Sequence, residues 1–252
     1  MDRPASSSDR ERDRHHHRNR PLVALRALGA LSADPDDLPK VFTIIESLPG
    51  RSPDHLLAGF RACAEGRSLL AAQPRLGARL ADRAALHALP EGSLGRAYAE
   101  LMDREGITPE GIVAASVAGR DEQLDKTPEH TFIADRMRDT HDLWHVVTGY
   151  GMDLVGEAAL LCFILPQTKS PGIALVALLA LVKAKGADRT IMLRGYLRGR
   201  KAKWLPAIAW EDLLPRPLTE VRALLQLGPP PRYAPLTTAD LRASGDLAPR
   251  AA

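Results

Sequence analysis

Two stretches that favour helices, joined by a glycine-rich turn, constrain this chain more than any other feature of its sequence. The first stretch ends with His141 and His145, and the second carries Glu157. On one unbroken helix His145 and Glu157 would lie about 18 Å apart along the axis, since each residue adds about 1.5 Å. The run Thr148–Gly151 holds two glycines, which adopt the backbone angles that end and reverse a helix. The sequence therefore predicts a helix–turn–helix that returns Glu157 to the histidines, with Asp153 as the N-cap of the second helix.

The donor atoms in this region are those of a metal site. Two histidines four residues apart share one face of a helix and can bind one ion. Asp142 lies about 100° round the helix, so it is either a ligand or a group that orients a histidine. The predicted ligands His141, Asp142, His145 and Glu157 suit Zn²⁺, or another first-row divalent ion as the alternative. A pair of surface histidines also explains the spacing alone, and His130, about three turns earlier, is predicted to lie outside the site.

The composition predicts an all-α fold. The chain has 252 residues and is 45% hydrophobic but only 4% aromatic, so Ala and Leu must form most of its core. Ala and Leu favour helices, whereas strands favour β-branched and aromatic residues. The sequence shows no strand–helix alternation and no glycine-rich phosphate loop. We expect a single helical domain over residues 21–228, between a disordered arm at 1–20 and a loose, Pro-rich tail at 229–252.

The net charge indicates which kinds of partner to expect, and the cysteine content indicates the cellular compartment. The net charge of +3 comes from 34 basic and 31 acidic residues, an excess too small to indicate nucleic acid. Cys63 and Cys162 lie far apart, which suggests neither a disulfide framework nor a Cys-ligated zinc, so we expect a reducing compartment. We also expect no signal peptide. No transmembrane helix is expected, because two apolar runs, residues 158–165 and 173–182, both fall short of the roughly 20 residues that span a bilayer.

These two apolar runs cover residues 158–165 and 173–182. Both are apolar on every side, so they should be buried or should line an apolar cavity. A buried core helix is one interpretation, and the wall of a tunnel for an isoprenoid tail is the other. The stretch from Arg194 to Trp204 is the most basic part of the predicted domain. A solvated helix face explains it as well as contact with an anionic membrane surface or a diphosphate group does.

The frame that starts at Arg138 and ends at Glu157 is Arg-Asp-x-His-Asp-Leu-Trp-His-x-x-Thr-Gly-x-x-x-Asp-x-x-Gly-Glu. It resembles the signature of the coenzyme Q (ubiquinone) biosynthesis protein Coq-four family. Segments at 65–76, 94–98 and 210–222 resemble other parts of the same family. The resemblance extends from about residue 38 to residue 227 and leaves out both ends of the chain.

This resemblance implies a function in ubiquinone biosynthesis on polyprenylated, benzoate-derived precursors. The implied chemistry is metal-dependent removal of the ring's C1 carboxyl group with hydroxylation of that carbon. The implied partners are a prenylated quinone precursor or isoprenoid lipid, other quinone-biosynthesis enzymes and a membrane surface contacted peripherally. In a bacterium this would be the cytoplasmic side of the membrane. A homo-oligomer is a further option. The resemblance favours the tunnel interpretation of the apolar helices.

Two other functions fit the same residues. The first is a non-catalytic, prenyl-lipid-binding scaffold that organises a quinone-biosynthesis complex and uses its metal to join two helices. The second is a phosphohydrolase of the His-Asp type, suggested by the adjacent His141 and Asp142. That class also needs an upstream His and a downstream Asp, and the spacing to Glu157 fits it poorly.

Overall fold

The described elements are helices, as the composition predicts. The computed structural model describes residues 19–107 and 127–248, and within these ranges it contains no strand. The N-terminal half forms α1 Pro21–Ala33, α2 Leu38–Ser47, α3 Ser52–Ala62, α4 Ala64–Ala72, α5 Leu76–Ala81, α6 Arg83–His87 and α7 Leu94–Glu105. The C-terminal half forms α8 Pro128–Thr148, α9 Leu154–Thr168, α10 Pro171–Lys183, α11 Gly186–Lys201, a 3₁₀ turn Leu205–Ala207, α12 Trp210–Leu213, α13 Leu218–Leu224 and α14 Thr238–Ala243.

The main hydrophobic core surrounds the second half of α8 and the length of α9. Trp144 on α8 and Phe163 on α9 are fully buried, and Trp210 of α12 is buried in the same cluster. The run 158–165 within α9 is therefore core, as one interpretation predicted, although Leu161 and Leu165 are only partly buried. The run 173–182 differs, since Leu178 and Val182 on α10 are 56% and 69% exposed. The tunnel interpretation stays a prediction.

Local capping rules explain several helix ends. The Ser93 hydroxyl accepts from the backbone N–H of Arg96 at the start of α7, and Gly106 ends that helix at φ +64°. The Thr127 hydroxyl caps α8 in the same way. Two other places are less regular, since α9 continues through Pro166 and a break at Cys63 separates α3 from α4. The motif Thr108-Pro109-Glu110 also predicts a capped helix start, and it lies outside the described residues.

The described part of the tail that was predicted to be loose makes specific contacts with the helices. The Tyr233 hydroxyl donates to Asp153 at 2.8 Å, and Arg242 of α14 forms an ion pair with Asp34 at 3.4 Å. Such contacts are compatible with a Pro-rich composition, because proline prevents regular pairing but leaves side chains and carbonyl groups free to make contacts. Helix α14 at Thr238–Ala243 follows this stretch. Residues 1–18 of the expected N-terminal arm lie outside the described residues.

The basic stretch in α11 is only partly a solvated face. Arg194 and Lys201 are exposed, but Arg198 is half-buried. Its guanidinium lies 5.0 Å from the centre of the Tyr150 ring and donates to the carbonyl oxygens of Thr148 at 3.0 Å and Leu227 at 3.1 Å. Among the described residues, no helix combines the length and the apolar character needed to cross a bilayer.

Close packing between α9 and α11 depends on two glycines. A Cβ at Gly195 would lie 2.5 Å from the carbonyl oxygen of Ala159, and a Cβ at Gly199 would overlap the carbonyl oxygen of Phe163. Backbone atoms cannot move aside as a flexible side chain can. The two helices therefore approach each other more closely than helices with any larger residue at these positions.

We predict that Gly199→Ala lowers the free energy of unfolding by about 1–3 kcal/mol, because the added methyl group forces α9 and α11 apart. Gly29→Ala is the matched control, since Gly29 lies inside α1 with nothing within 4 Å of an added Cβ. That control should raise stability by about 0.5–1 kcal/mol through helix propensity. Thermal unfolding followed by circular dichroism measures both changes. Equal effects of the two substitutions would contradict this account of the α9–α11 contact.

Candidate metal site

The turn between α8 and α9 forms as the glycines predict. Gly149 ends α8 at φ +77°, where its N–H donates to the His145 carbonyl at 2.9 Å. Asp153 caps α9, with its Oδ1 accepting from the backbone N–H groups of Val155 at 3.1 Å and Gly156 at 3.2 Å. The chain thus reverses within a few residues. Glu157, in the first turn of α9, comes back to the end of α8.

The reversal places one carboxylate opposite two imidazoles. Oε1 of Glu157 lies 3.2 Å from Nε2 of His145, and Oε2 lies 3.8 Å from Nε2 of His141. The two rings lie edge to face, with centres 4.9 Å apart. One potential ligand atom from each of the three residues lies within 4.8 Å of the others. The structure therefore brings together three of the four predicted ligands.

The other nitrogen of each imidazole is held by an acceptor. Nδ1 of His145 lies 3.1 Å from the Tyr150 carbonyl oxygen, and Nδ1 of His141 lies 3.1 Å from Oδ1 of Asp142. A carbonyl or an ionised carboxylate only accepts, so in a neutral ring the proton belongs on Nδ1. Both Nε2 lone pairs then face Glu157. Asp142 is thereby placed behind His141, in the orienting position that metal-bound histidines commonly have.

The convergence of these atoms requires a positive charge between them. Nε2 of His145 is buried and makes no hydrogen bond of acceptable geometry, although Glu157 lies close to it. Two nitrogen lone pairs and a carboxylate repel each other unless a proton or a cation lies among them. A buried acceptor without a partner is also costly. The donor types and the unpaired nitrogen therefore fit a divalent ion held by two imidazoles and a carboxylate.

Electrostatics at the site favour positive charge on the His141 imidazole and negative charge on the Glu157 carboxylate. Burial lowers the pKa of His141, but the hydrogen bond to Asp142 and the charges of Glu157 and Asp142 outweigh it and raise that pKa to about 9. Burial raises the pKa of Glu157, but the charges of His145 and His141 outweigh it and lower that pKa to about 2. An ionised Glu157 therefore faces a protonated His141 at neutral pH, and a divalent ion would take the place of that proton.

The site is open on one side only. The His145 side chain is fully buried, whereas those of His141 and Glu157 are 35% and 33% exposed. A small molecule or the reacting end of a larger one can therefore approach from the side of His141 and Glu157. His130, which the sequence analysis placed outside the site, is not part of the group of converging ligand atoms. Its Nδ1 lies 2.8 Å from the Thr127 hydroxyl at the far end of α8.

Two arginines from distant parts of the chain hold the end of α8, and sequence reasoning did not identify them. Arg222 donates to the carbonyl oxygens of Val147 at 3.0 Å and Val146 at 2.9 Å, while Arg198 donates to that of Thr148. These carbonyl groups lack partners within the helix, and cations at a helix C-terminus are favourable. No local pattern could identify these contacts, because each arginine lies at least 50 residues from its acceptor.

Together these features define a class: a helical protein with a site of two histidines and one carboxylate at a helix–turn–helix. Comparison with known proteins then gives the family. The family model described as coenzyme Q (ubiquinone) biosynthesis protein Coq4 matches residues 16–231, so the chain belongs to the Coq4 family.

Individual relatives agree with this assignment. A ubiquinone biosynthesis protein COQ4, mitochondrial, of Arthroderma otae is 34% identical over 171 residues, which are 66% of this chain and 61% of that protein. The protein of the same description from Yarrowia lipolytica is 32% identical over 66% of this chain and 63% of its own length. The chain therefore spans about three-fifths of the length of these relatives.

A solved structure shares the fold. The crystal structure of a candidate ubiquinone biosynthesis protein from Nostoc punctiforme PCC 73102 superposes with a TM-score of 0.61 at 22% identity. The match covers 84% of this chain and all of that one. At this level of identity the likeness shows the fold alone.

We predict that Asp142→Ala weakens Zn²⁺ binding by about 10–100-fold, because outer partners of a metal-bound histidine contribute about that much to affinity. Asp103→Ala, which removes an exposed carboxylate from α7, should leave the affinity unchanged. Competition with a chromogenic chelator measures both affinities on protein purified without a His tag. Unchanged affinity in Asp142→Ala would rule out the orienting role.

Proposed function

We propose that this chain acts in ubiquinone biosynthesis on a polyprenylated, benzoate-derived precursor. In this proposal, His141, His145 and Glu157 hold a divalent ion, Zn²⁺ or another first-row metal, and the ring's C1 carboxyl group is removed with hydroxylation at C1. The observation that carries the metal site is the convergence of two oriented Nε2 atoms and a carboxylate on one point. Membership of the Coq4 family supports the choice of substrate class.

The residues of the chain have separate tasks in this proposal. Asp142 and the Tyr150 carbonyl keep both Nδ1 protons in place, so that both Nε2 atoms stay directed inward. The bound ion would supply a Lewis acid that stabilises negative charge on the substrate carboxylate or phenolate. The buried His145 closes the inner side, and the substrate ring enters beside His141 and Glu157.

The electron balance of the reaction sets a further requirement. The bond between C1 and the carboxyl group breaks, carbon dioxide leaves, and a C1–O bond forms with an oxygen atom from water, which releases two electrons and two protons overall. Zn²⁺ has no redox chemistry and cannot accept them. The reaction therefore needs an external oxidant, and dioxygen, which accepts two electrons and two protons to give hydrogen peroxide, is the class of oxidant that we propose.

Exposed apolar side chains support the proposed contact with an isoprenoid lipid or a membrane surface. Leu178 and Val182 on α10, and Leu193 and Leu197 on α11, are each more than half exposed. Apolar surface of this kind is commonly used for binding lipid or protein. Exposed basic residues such as Arg194 also lie on α11, and they suit an anionic headgroup.

The scaffold function is the second candidate. The same three ligands join α8 to α9, so a bound ion would also fasten these helices together without any chemistry. The phosphohydrolase hypothesis receives less support. Among the residues that the structure describes, the group of converging ligand atoms contains no further histidine and no aspartate.

We predict that His145→Ala does not bind the metal and decarboxylates the substrate at least about 100-fold more slowly. The reason is that a Lewis acid lowers the activation free energy by several kcal/mol. The substrate is a short-chain prenylated 4-hydroxybenzoate with a ¹³C-labelled carboxyl group, and mass spectrometry follows the labelled carbon dioxide in aerated buffer. His87→Ala, which changes an exposed histidine on α6, is the control and should keep full activity.

Three results of this experiment separate the candidates. Lost metal and lost turnover with an intact far-ultraviolet circular dichroism spectrum support the enzyme. Metal-bound wild-type protein that releases no labelled carbon dioxide argues against the enzyme and for the scaffold. Unfolding of His145→Ala together with an inactive wild type identifies the ion as structural.

A further inference from the structure

The C-terminal stretch 229–237, which we name the strap, crosses the turn between α8 and α9. Gly228, at φ +68°, precedes the strap. Pro230 then packs on Gly149 so closely that a Cβ at Gly149 would lie 2.5 Å from the Pro230 Cβ. Further along, the Leu236 carbonyl accepts from the N–H of Leu154 at 2.8 Å. The strap therefore contacts both ends of the turn.

The peptide group between Tyr150 and Gly151 connects the strap to a proposed ligand. Its carbonyl oxygen lies 3.1 Å from Nδ1 of His145 and accepts that proton. Its N–H donates to the Tyr233 hydroxyl oxygen at 2.8 Å. One rigid, planar group thus has His145 on one side and the phenol of the strap on the other. Loss of the phenol oxygen leaves one side of this peptide group without a partner.

The phenol of Tyr233 also reaches the helix that carries Glu157. Its O–H donates to Oδ2 of Asp153 at 2.8 Å, while Oδ1 of Asp153 accepts from the Leu236 N–H at 3.1 Å and from the first N–H groups of α9. Glu157 follows one turn after this cap, and its own N–H donates to the Asp153 carbonyl at 2.8 Å. The Tyr233 hydroxyl therefore fixes the cap of α9 as well.

The contacts form one chain of hydrogen bonds from a carboxylate to a metal ligand. It runs from Asp153 through the Tyr233 hydroxyl and the Tyr150–Gly151 peptide group to Nδ1 of His145. Hydrogen bonds in series strengthen each other, and an anion at one end makes each acceptor along the series more effective. Burial and the bond to Asp153 raise the pKa of Tyr233, so the phenol keeps its proton and remains a donor.

We infer that Tyr233 is a positioning residue of the metal site, which orients His145 through a peptide group and Glu157 through the cap of α9. The inference rests on the proposed metal site. The family match ends at residue 231, so Tyr233 lies outside the part of the chain that the family model covers. Gly156 leaves room for the contact, because an added Cβ there would lie 2.5 Å from the phenol oxygen.

The test compares Tyr233→Phe with the same change at Tyr196, an exposed tyrosine on α11. Zn²⁺ affinity is measured by chelator competition on protein purified without a His tag, and the visible spectrum is recorded after loading with Co²⁺. We expect one Zn²⁺ per wild-type chain, an affinity about tenfold weaker in Tyr233→Phe and a shifted Co²⁺ spectrum. Tyr196→Phe should match the wild type in both measurements.

Thermal unfolding separates positioning from a purely structural role. If Tyr233 acts on the site, Tyr233→Phe should lower the midpoint of thermal unfolding more with excess Zn²⁺ present than with a chelator present. The reason is that weaker Zn²⁺ binding stabilises the folded state less. An equal drop in both conditions, with unchanged Zn²⁺ affinity and Co²⁺ spectrum, overturns the inference and leaves the proposed metal site intact. Wild-type protein that binds no Zn²⁺ or Co²⁺ instead overturns the metal site itself, and the inference with it.

A second variant keeps the test decisive if Tyr233→Phe does not fold. Pro230→Gly removes the contact with Gly149 and loosens the strap but keeps the phenol. We expect a loss of Zn²⁺ affinity of several-fold. Wild-type affinity in a folded Pro230→Gly protein, with an unchanged Co²⁺ spectrum, would contradict a positioning role for the strap.

Discussion

The reversal of the chain between α8 and α9 is the constraint on which the rest of the site depends. It brings the Glu157 carboxylate to 3.2 Å from Nε2 of His145 and to 3.8 Å from Nε2 of His141. The His145 side chain is shielded from water. Such a group of acceptors is unstable by itself, since lone pairs and a negative charge repel. Protons on the imidazoles can relieve the repulsion, and so can a divalent ion, which competes with those protons for the same atoms.

Much of the surrounding structure serves to keep this unfavourable arrangement in place. Burial of Trp144 and its neighbours fixes α8 against the core, and Gly195 and Gly199 let α11 approach α9 closely. Arg198 and Arg222 then satisfy the last carbonyl groups of α8. These cations stabilise the helix end without occupying the site. The converging atoms are therefore held by packing and hydrogen bonds that do not themselves need the ion.

The sequence predicted the local parts of this structure well. Composition predicted helices, the glycines after Thr148 predicted the reversal, and Asp153 was correctly expected to cap α9. Three of the four expected ligands converge, and the fourth, Asp142, lies 3.1 Å from Nδ1 of His141. These features depend on residues close together in the chain, for which spacing and backbone preference carry the information.

The sequence did not predict the contacts that come from far along the chain. Tyr233 lies in a Pro-rich stretch whose composition indicates only irregular structure, so its contact with Asp153 has no local signal. The exposure of Leu178 and Val182 was missed for a related reason. An apolar run predicts that a helix is stable in apolar surroundings. Which of its faces is buried depends on the arrangement of all the other helices.

The central claim is that one ion is bound by His141, His145 and Glu157. X-ray absorption at the metal edge, on stoichiometrically loaded protein purified without a His tag, tests it most directly. The account predicts two imidazole nitrogens at about 2.0–2.1 Å and carboxylate or water oxygens at about 2.0–2.2 Å around Zn²⁺. A set of metal ligands that contains sulfur or lacks the two imidazoles would contradict it. Protein that does not bind one ion per chain would contradict it as well.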